Sequence, residues 1–334
     1  DVLPFLENVL RGKNIPRERM LEVAKHYYHF GGKSPINDQN RALVAALEKE
    51  LANHGYPLPV YWGNRNWHPL LADTVRQMRE DGVRRALAFV TSAYSSYSSC
   101  RQYREDIVAA RAATGPGAPE IDKIRVFHNH PGFVEANLDY VRQAFGKIPA
   151  ERRSAAHLVY TAHSIPLSAA RTCSYERQLR EVARLISEAL GRTDDPLVFQ
   201  SRSGPPSQPW LEPDILEHFR HLKQQGVRDV VVAPIGFVSD HMEVLFDLDT
   251  QARELCDELG LNMVRAKTAG SHPRFVAMAR ELIVERLEER EKRAAVGCLP
   301  PNPDVCADDC CPAPERPAIR PAIEATPAAS KLVR

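Results

Sequence analysis

The stretch Val230-Val231-Val232-Ala233-Pro234-Ile235-Gly236-Phe237-Val238-Ser239-Asp240-His241-Met242-Glu243 decides the fold. Its first four residues are the strongest strand signal in the chain. An apolar run without polar alternation marks a strand covered on both faces, as in a parallel sheet. Asp240 stands where a helix N-cap is expected, and Glu243 three residues on completes a capping-box spacing. A helix is therefore predicted from Asp240 to Leu259. Strand, short turn and helix in that order form half of a βαβ unit.

The same alternation extends outward. Downstream, a strand is predicted near Met263-Val264-Arg265 and a last helix over Pro273–Lys292. Upstream, Asp214–Gln225 and Tyr175–Leu190 read as helices, and Leu197–Gln200 and Leu158–Thr161 as strands. Further back, helices are expected over Pro16–Tyr28, Gln39–His54, His68–Glu80, Cys100–Ala113 and Val134–Phe145. Ala86–Val90 reads as a buried strand. The pattern restarts near Ile148-Pro149. That predicts two α/β halves, residues 1–148 and 149–293, each with a parallel sheet covered by helices. The last helix is a candidate to pack across both. Residues 296–334 hold eight prolines and no period, so 294–334 is expected to be a tail.

With 334 residues and a net charge of +1, nothing in the charge favours nucleic acid. No run of about 18 apolar residues predicts a transmembrane helix, although contact with a membrane surface stays open. The first residues carry neither a basic region nor an apolar one, so no signal peptide is expected. A cytoplasmic enzyme, monomer or weak homodimer, is the expectation.

Ligands of open parallel sheets bind beyond the carboxyl ends of the strands. Two segments lie there, Tyr160-Thr161-Ala162-His163-Ser164-Ile165-Pro166 and the stretch ending at Glu243. Together they offer an imidazole and a carboxylate to one crevice. Such a ring binds a metal or accepts a proton near neutral pH, and a carboxylate orients it or ligates a hard cation. The competing readings are a strand-end histidine and a helix-capping Glu243. Asp247 repeats the carboxylate of Glu243 one turn on, a like-charge pair that costs a helix about 0.2–0.5 kcal/mol.

Thr161–Pro166 together with Gly236–Asp249 strongly resembles the ferrochelatases, which insert Fe(II) into a porphyrin. Supporting segments are Gly31–Pro35, Arg65–Pro69, Tyr94–Ser98, Gln200–Gly204 and Pro209–Pro213. The resemblance implies two flavodoxin-like halves with a porphyrin cleft between them. It implies His163 and Glu243 as the catalytic pair and the ligands of the substrate iron, with Asp240, His241 and Asp247 tuning them. Arg65, Tyr94, Tyr97, Trp210 and Phe237 become candidates to contact the porphyrin. The third rung of the family's carboxylate ladder is Gln251 here. A strand and Gly-rich turn that family members carry would precede Asp1, so the sequence is expected to be a fragment or to start at a wrong codon. The rivals are a chelatase of the same fold inserting cobalt in the cobalamin or sirohaem branch (a sirohydrochlorin chelatase, for example), and a non-catalytic haem- or porphyrin-binding protein.

Seven cysteines are present, four of them as Cys298-x7-Cys306-x3-Cys310-Cys311. That spacing lacks the C-x2-C of common zinc sites. A subset of ferrochelatases carries a [2Fe–2S] cluster on one internal and three C-terminal thiols. The resemblance then implies Cys173, Cys306, Cys310 and Cys311 as ligands, with Cys298 in reserve. Structural zinc and unligated thiols are the alternatives.

Overall fold

Among the described residues six strands organise the fold, and all of them run parallel to their neighbours. They are β1 (Arg85–Ala88), β2 (Glu120–Lys123), β3 (His157–His163), β4 (Leu197–Gln200), β5 (Asp229–Ala233) and β6 (Asn262–Arg265). β1 pairs with β2, and the larger sheet has the order β4-β3-β5-β6. The computed structural model describes residues 1–11, 16–193, 195–204, 207–270 and 272–313.

The apolar runs explain the larger sheet. Side chains of a strand alternate between faces. Leu158, Tyr160 and Ala162 of β3 join one core cluster, with Val231 and Ala233 of β5. Val159 of β3 joins a second cluster on the opposite face, with Val230 and Val232 of β5. Leu158, Val159 and Val230–Val232 are fully buried, each contributing about 1.5–3 kcal/mol. β1 differs from the expectation for Ala86–Val90. It ends at Ala88 and is only half-buried, because it has one neighbour, the charged β2.

Helix Pro273–Leu287 packs on both Ile36–Asn53 and Pro131–Gly146, joining the N-terminal residues to the rest. The helix expected over Asp240–Leu259 is three pieces: Met242–Phe246, a π-helical turn Asp247–Ala252, and Arg253–Leu259. No helix of the described residues is long and apolar enough to cross a membrane.

The first described part of the expected tail is a strap. Val296 N–H donates to Asn129 O, and the buried Asn129 amide donates to Leu299 O and Pro300 O at 2.8 and 3.2 Å. Asn302 meets the buried Gln178 and Ser95 at 3.2 and 3.3 Å.

In the larger sheet the chain moves from β3 to β4 on one side, then returns to β5 on the other. The strand order therefore reverses between β3 and β5, and a crevice opens at their carboxyl ends. β3 ends at His163, and the segment leaving β5 leads to Glu243.

Candidate active site

His163 Nε2 stands 3.6 Å from Glu243 Oε1. His163 is half-buried and Glu243 exposed, with 32% and 49% of their side-chain surfaces accessible. Burial disfavours the imidazolium of His163, but the facing Glu243 carboxylate and the Ser164 carbonyl outweigh it and raise the pKa to about 9. The same pairing overcomes burial at Glu243 and lowers it to about 2. At neutral pH the pair is a protonated imidazole beside a carboxylate.

Three contacts support the His163 backbone, its ring and the helix of Glu243. Tyr175 hydroxyl donates to His163 O at 3.1 Å, and His163 Nδ1 bonds to Ser164 O. His241, not Asp240, caps the helix: its Nδ1 accepts from Glu243 N at 3.2 Å. Burial lowers the pKa of His241 and keeps it the neutral acceptor this bond requires. Asp240 instead meets Arg265 Nη1 at 3.0 Å, and the same guanidinium holds Asp249 at 2.6 and 2.8 Å. Neither Arg265 nor its role was legible in the sequence, since it lies on β6, outside both motifs.

Asp247 follows Glu243 by one turn. Burial, with help from the Glu243 charge, raises it to about 6, against opposing bonds from Ser201 and Gln200. Ser201 holds that position with a positive φ of 64°, a conformation uncommon outside glycine. The π-helical turn continues from Asp247 through Gln251 to the buried Ala252, so neither residue about one turn beyond Asp247 carries a carboxylate.

The loop itself depends on Gly236. Its N–H donates to Thr161 O at 3.0 Å, and a Cβ there would lie 2.6 Å from Ala162 Cα. The first helices also reach this loop: His26 stacks on Phe246 with centroids 3.7 Å apart.

The porphyrin-contact candidates divide. Tyr94 is 2% exposed and its hydroxyl donates to Ile235 O at 2.8 Å, so it supports the loop from the core instead of lining the crevice. Phe237 is also buried and packs edge-on against His241 at 5.1 Å. Trp210 is buried against Gly204, with its Nε1 lacking a partner among the described residues. Arg65 is committed to Asp106 at 2.5 Å and lies over the Tyr103 ring at 3.9 Å. Tyr97 hydroxyl donates to Glu105 at 3.0 Å.

The thiols regroup. Cys310 and Cys311 sulfurs are 3.5 Å apart, and the thiol of the buried Cys100 beside Cys306 holds the pKa of Cys306 down against the effect of burial. Arg101 holds the Asp308 and Cys310 carbonyls at 2.5 and 3.2 Å. Lys123 and Arg104 line the cleft shared by Cys100 and Cys306. Cys173 lies near Cys310 but donates to Ala169 O at 3.2 Å. Cys298, the reserve ligand, donates to Glu181 Oε2 at 3.3 Å. Cys100 was not foreseen, because its partners lie some 200 residues away in sequence. Among the described residues no group of three or more His, Cys, Asp or Glu side chains is arranged to hold a metal ion.

Strands that reverse order beside an imidazole–carboxylate pair make an α/β fold with a ligand site at the switch point. Two solved structures share this fold. SirB from Bacillus subtilis with Fe3+ superposes with a TM-score of 0.54 at 15% identity, covering 78% of this chain and 93% of that one. The sirohydrochlorin chelatase SirB from Bacillus subtilis subspecies spizizenii in complex with cobalt gives 0.50 at 13%, covering 76% and 92%. At such identities the likeness is one of fold alone. The family described as Ferrochelatase matches residues 1–287. A "Ferrochelatase" of Rhodopirellula baltica is 56% identical over 324 residues, 96% of this chain and 91% of its own. The "Coproporphyrin III ferrochelatase" proteins of Streptomyces coelicolor and Nocardia farcinica are 52% and 50% identical, over 94% and 95% of this chain and 89% and 94% of theirs. The chain belongs to the ferrochelatase family, enzymes that insert iron into a porphyrin in haem biosynthesis.

Proposed function

We propose that this enzyme inserts Fe(II) into coproporphyrin III with release of two protons, and that His163 and Glu243 are its catalytic pair. The observation that carries the reading is the pair itself, 3.6 Å apart where the strand order reverses. The choice of coproporphyrin rests on the names of the relatives from Streptomyces and Nocardia.

The reaction must strip water from Fe(II), bend the macrocycle and remove two pyrrole protons. Glu243, held ionised by His163, attracts the cation and lowers the cost of losing its water. His163 must shed its proton before it ligates iron or accepts a pyrrole proton, and the arriving positive charge drives that loss. Asp247, titrating near 6, is suited to take that proton and release it to water. Tyr175 holds the backbone carbonyl of His163, and Ser164 O holds the ring at Nδ1, while the charge changes. The cobalt and non-catalytic readings have only the likeness of fold behind them. Domain halves at 1–148 and 149–293, a cytoplasmic location and a monomer or weak homodimer belong to the same proposal.

Supplying Fe(II) or Zn(II) with coproporphyrin III and, separately, protoporphyrin IX, and following the Soret and Q bands, tests this. Faster metallation of coproporphyrin III, lost in His163→Ala and Glu243→Ala, is expected. Full activity in both variants overturns the assignment.

We also propose a [2Fe–2S] cluster on Cys173, Cys306, Cys310 and Cys311. The donors fit in kind, and with Cys100 they exceed the four thiolates such a cluster takes. Arg101, Arg104 and Lys123 supply positive charge beside them. Metal insertion moves no electrons, so its role would be structural or redox-sensing. A colourless, iron-free preparation of native protein overturns it.

A further inference from the structure

The catalytic carboxylate sits in the first turn of its helix. Met242–Phe246 runs on through the π-helical turn to Leu259, so the free end of the support is the N-terminal one. The segment before it, Ser239–His241, has left β5 and not yet begun the helix, so its backbone has no ladder to bond to.

A side chain from another part of the chain supplies what is missing. Gln39, in helix Ile36–Asn53, donates from Nε2 to Asp240 O at 3.1 Å, and its Oε1 accepts from Asp240 N at 3.0 Å. The amide grips both backbone groups of one residue, as a neighbouring strand would. Glutamate cannot donate in its ionised form, and asparagine is one methylene too short. Asp240 precedes the His241 cap and lies three residues before Glu243. The Asp240 side chain is meanwhile tied to Arg265 from the opposite direction.

From this geometry we infer that Gln39 is a positioning residue for metal insertion, holding the Asp240 backbone so that Glu243 stays within reach of His163. The inference rests on the catalytic reading of that pair. Gln39 touches no reacting atom. It acts through the loop, so its loss lets the carboxylate drift from the imidazole while the porphyrin surfaces remain. The charged groups facing His163 are Glu243 and Asp247, with the neutral His241 beside Glu243. Of these, Glu243 is the one the loop displaces.

The test is Gln39→Met, which keeps length and helix propensity but loses both bonds, alongside Gln39→Glu, which loses the donor. Metallation by the full chain should fall about 10- to 100-fold in kcat, the scale of an ångström-sized misplacement, with KM for coproporphyrin within about twofold. His163, followed by NMR of its ring, should titrate lower than in the native chain. Unchanged kcat and unchanged His163 titration in Gln39→Met overturn the inference. So does a loss of activity matched by the fraction unfolded in thermal melts. The titration reads the His163–Glu243 contact without catalysis. It therefore judges Gln39 even if His163→Ala and Glu243→Ala prove active and the catalytic reading fails.

Discussion

His163 and Glu243 face each other across 3.6 Å from opposite sides of the point where the strand order reverses. His163 is fixed by its own strand, whereas Glu243 arrives on a loop that crosses over that strand. The imidazole is therefore the fixed member and the carboxylate the placed one, and its charge state depends on that placement.

Removing the carboxylate should reverse the shift at His163. In Glu243→Gln the largest remaining influence is burial, which disfavours the imidazolium. The His163 midpoint is expected to fall from about 9 in the native chain to near or below its ordinary value of about 6.5. NMR titration of the ring carbons measures it. An unshifted midpoint would show that Glu243 does not govern the protonation of His163.

Capping and acid–base roles of His241 separate by substitution. Asparagine can accept the Glu243 N–H, whereas alanine cannot; the cap contributes on the order of 1 kcal/mol. His241→Asn should therefore keep most metallation activity and His241→Ala should lose it. Equal, severe loss in both would give the imidazole a chemical part beyond the cap.

Gly236→Ala introduces a methyl group 2.6 Å from the Ala162 Cα. Backbone cannot yield as a flexible side chain does, so the loop must lift from β3. The expected cost is about 1–3 kcal/mol in chemical denaturation, accompanied by a weaker His163–Glu243 coupling. A variant with native stability and native His163 titration would refute the close-approach account.

Arg265→Met leaves the carboxylates of Asp240 and Asp249 facing each other without the cation that joins them. The loss should be about 2 kcal/mol, less than for a fully buried pair because all three groups keep some solvent contact. Adding Asp249→Asn should recover part of it. Strict additivity of the two substitutions in a double-mutant cycle would mean that the bridge contributes nothing.

Cysteine substitutions should sort by position. Cys306→Ser is expected to abolish the visible absorbance and Cys298→Ser to preserve it, since Cys298 lies against Glu181, apart from the other C-terminal thiols. Cys100→Ser should alter the spectrum, since Cys100 shares a cleft with Cys306. A spectrum lost with Cys298 would place the ligands differently.

The larger sheet was legible because β3–β5 are largely apolar, buried runs and β6 carries Met263-Val264 at its centre. β2 was not. Glu120-Ile121-Asp122-Lys123 is mostly charged, and its pairing with β1 leaves it half-exposed. The helix after β5 was legible as helix but not as three pieces, since a π-turn has no signal in a pattern of period 3.6. His163 and Glu243 could be picked out by their places at strand ends, and the structure brings them together. Their supports could not. Gln39, Arg265 and Cys100 are ordinary residues in their local sequence and gain meaning only from partners across the fold. The Asp240 cap failed for a related reason. The spacing fitted, but Arg265 claims that carboxylate and leaves the adjacent imidazole to cap.

The strap of residues 294–302 has a consequence in time. Chains fold as they emerge from the ribosome, N-terminal parts first. Gln178 is made 124 residues before Asn302, and Asn129 170 residues before Leu299. At ribosomal speeds the interval is roughly 6–25 s for the shorter gap. Throughout it Gln178 can already meet Ser95, whereas the Asn129 amide lacks the strap carbonyls it finally bonds. The nascent body can collapse early, yet that amide is fastened only when the strap arrives.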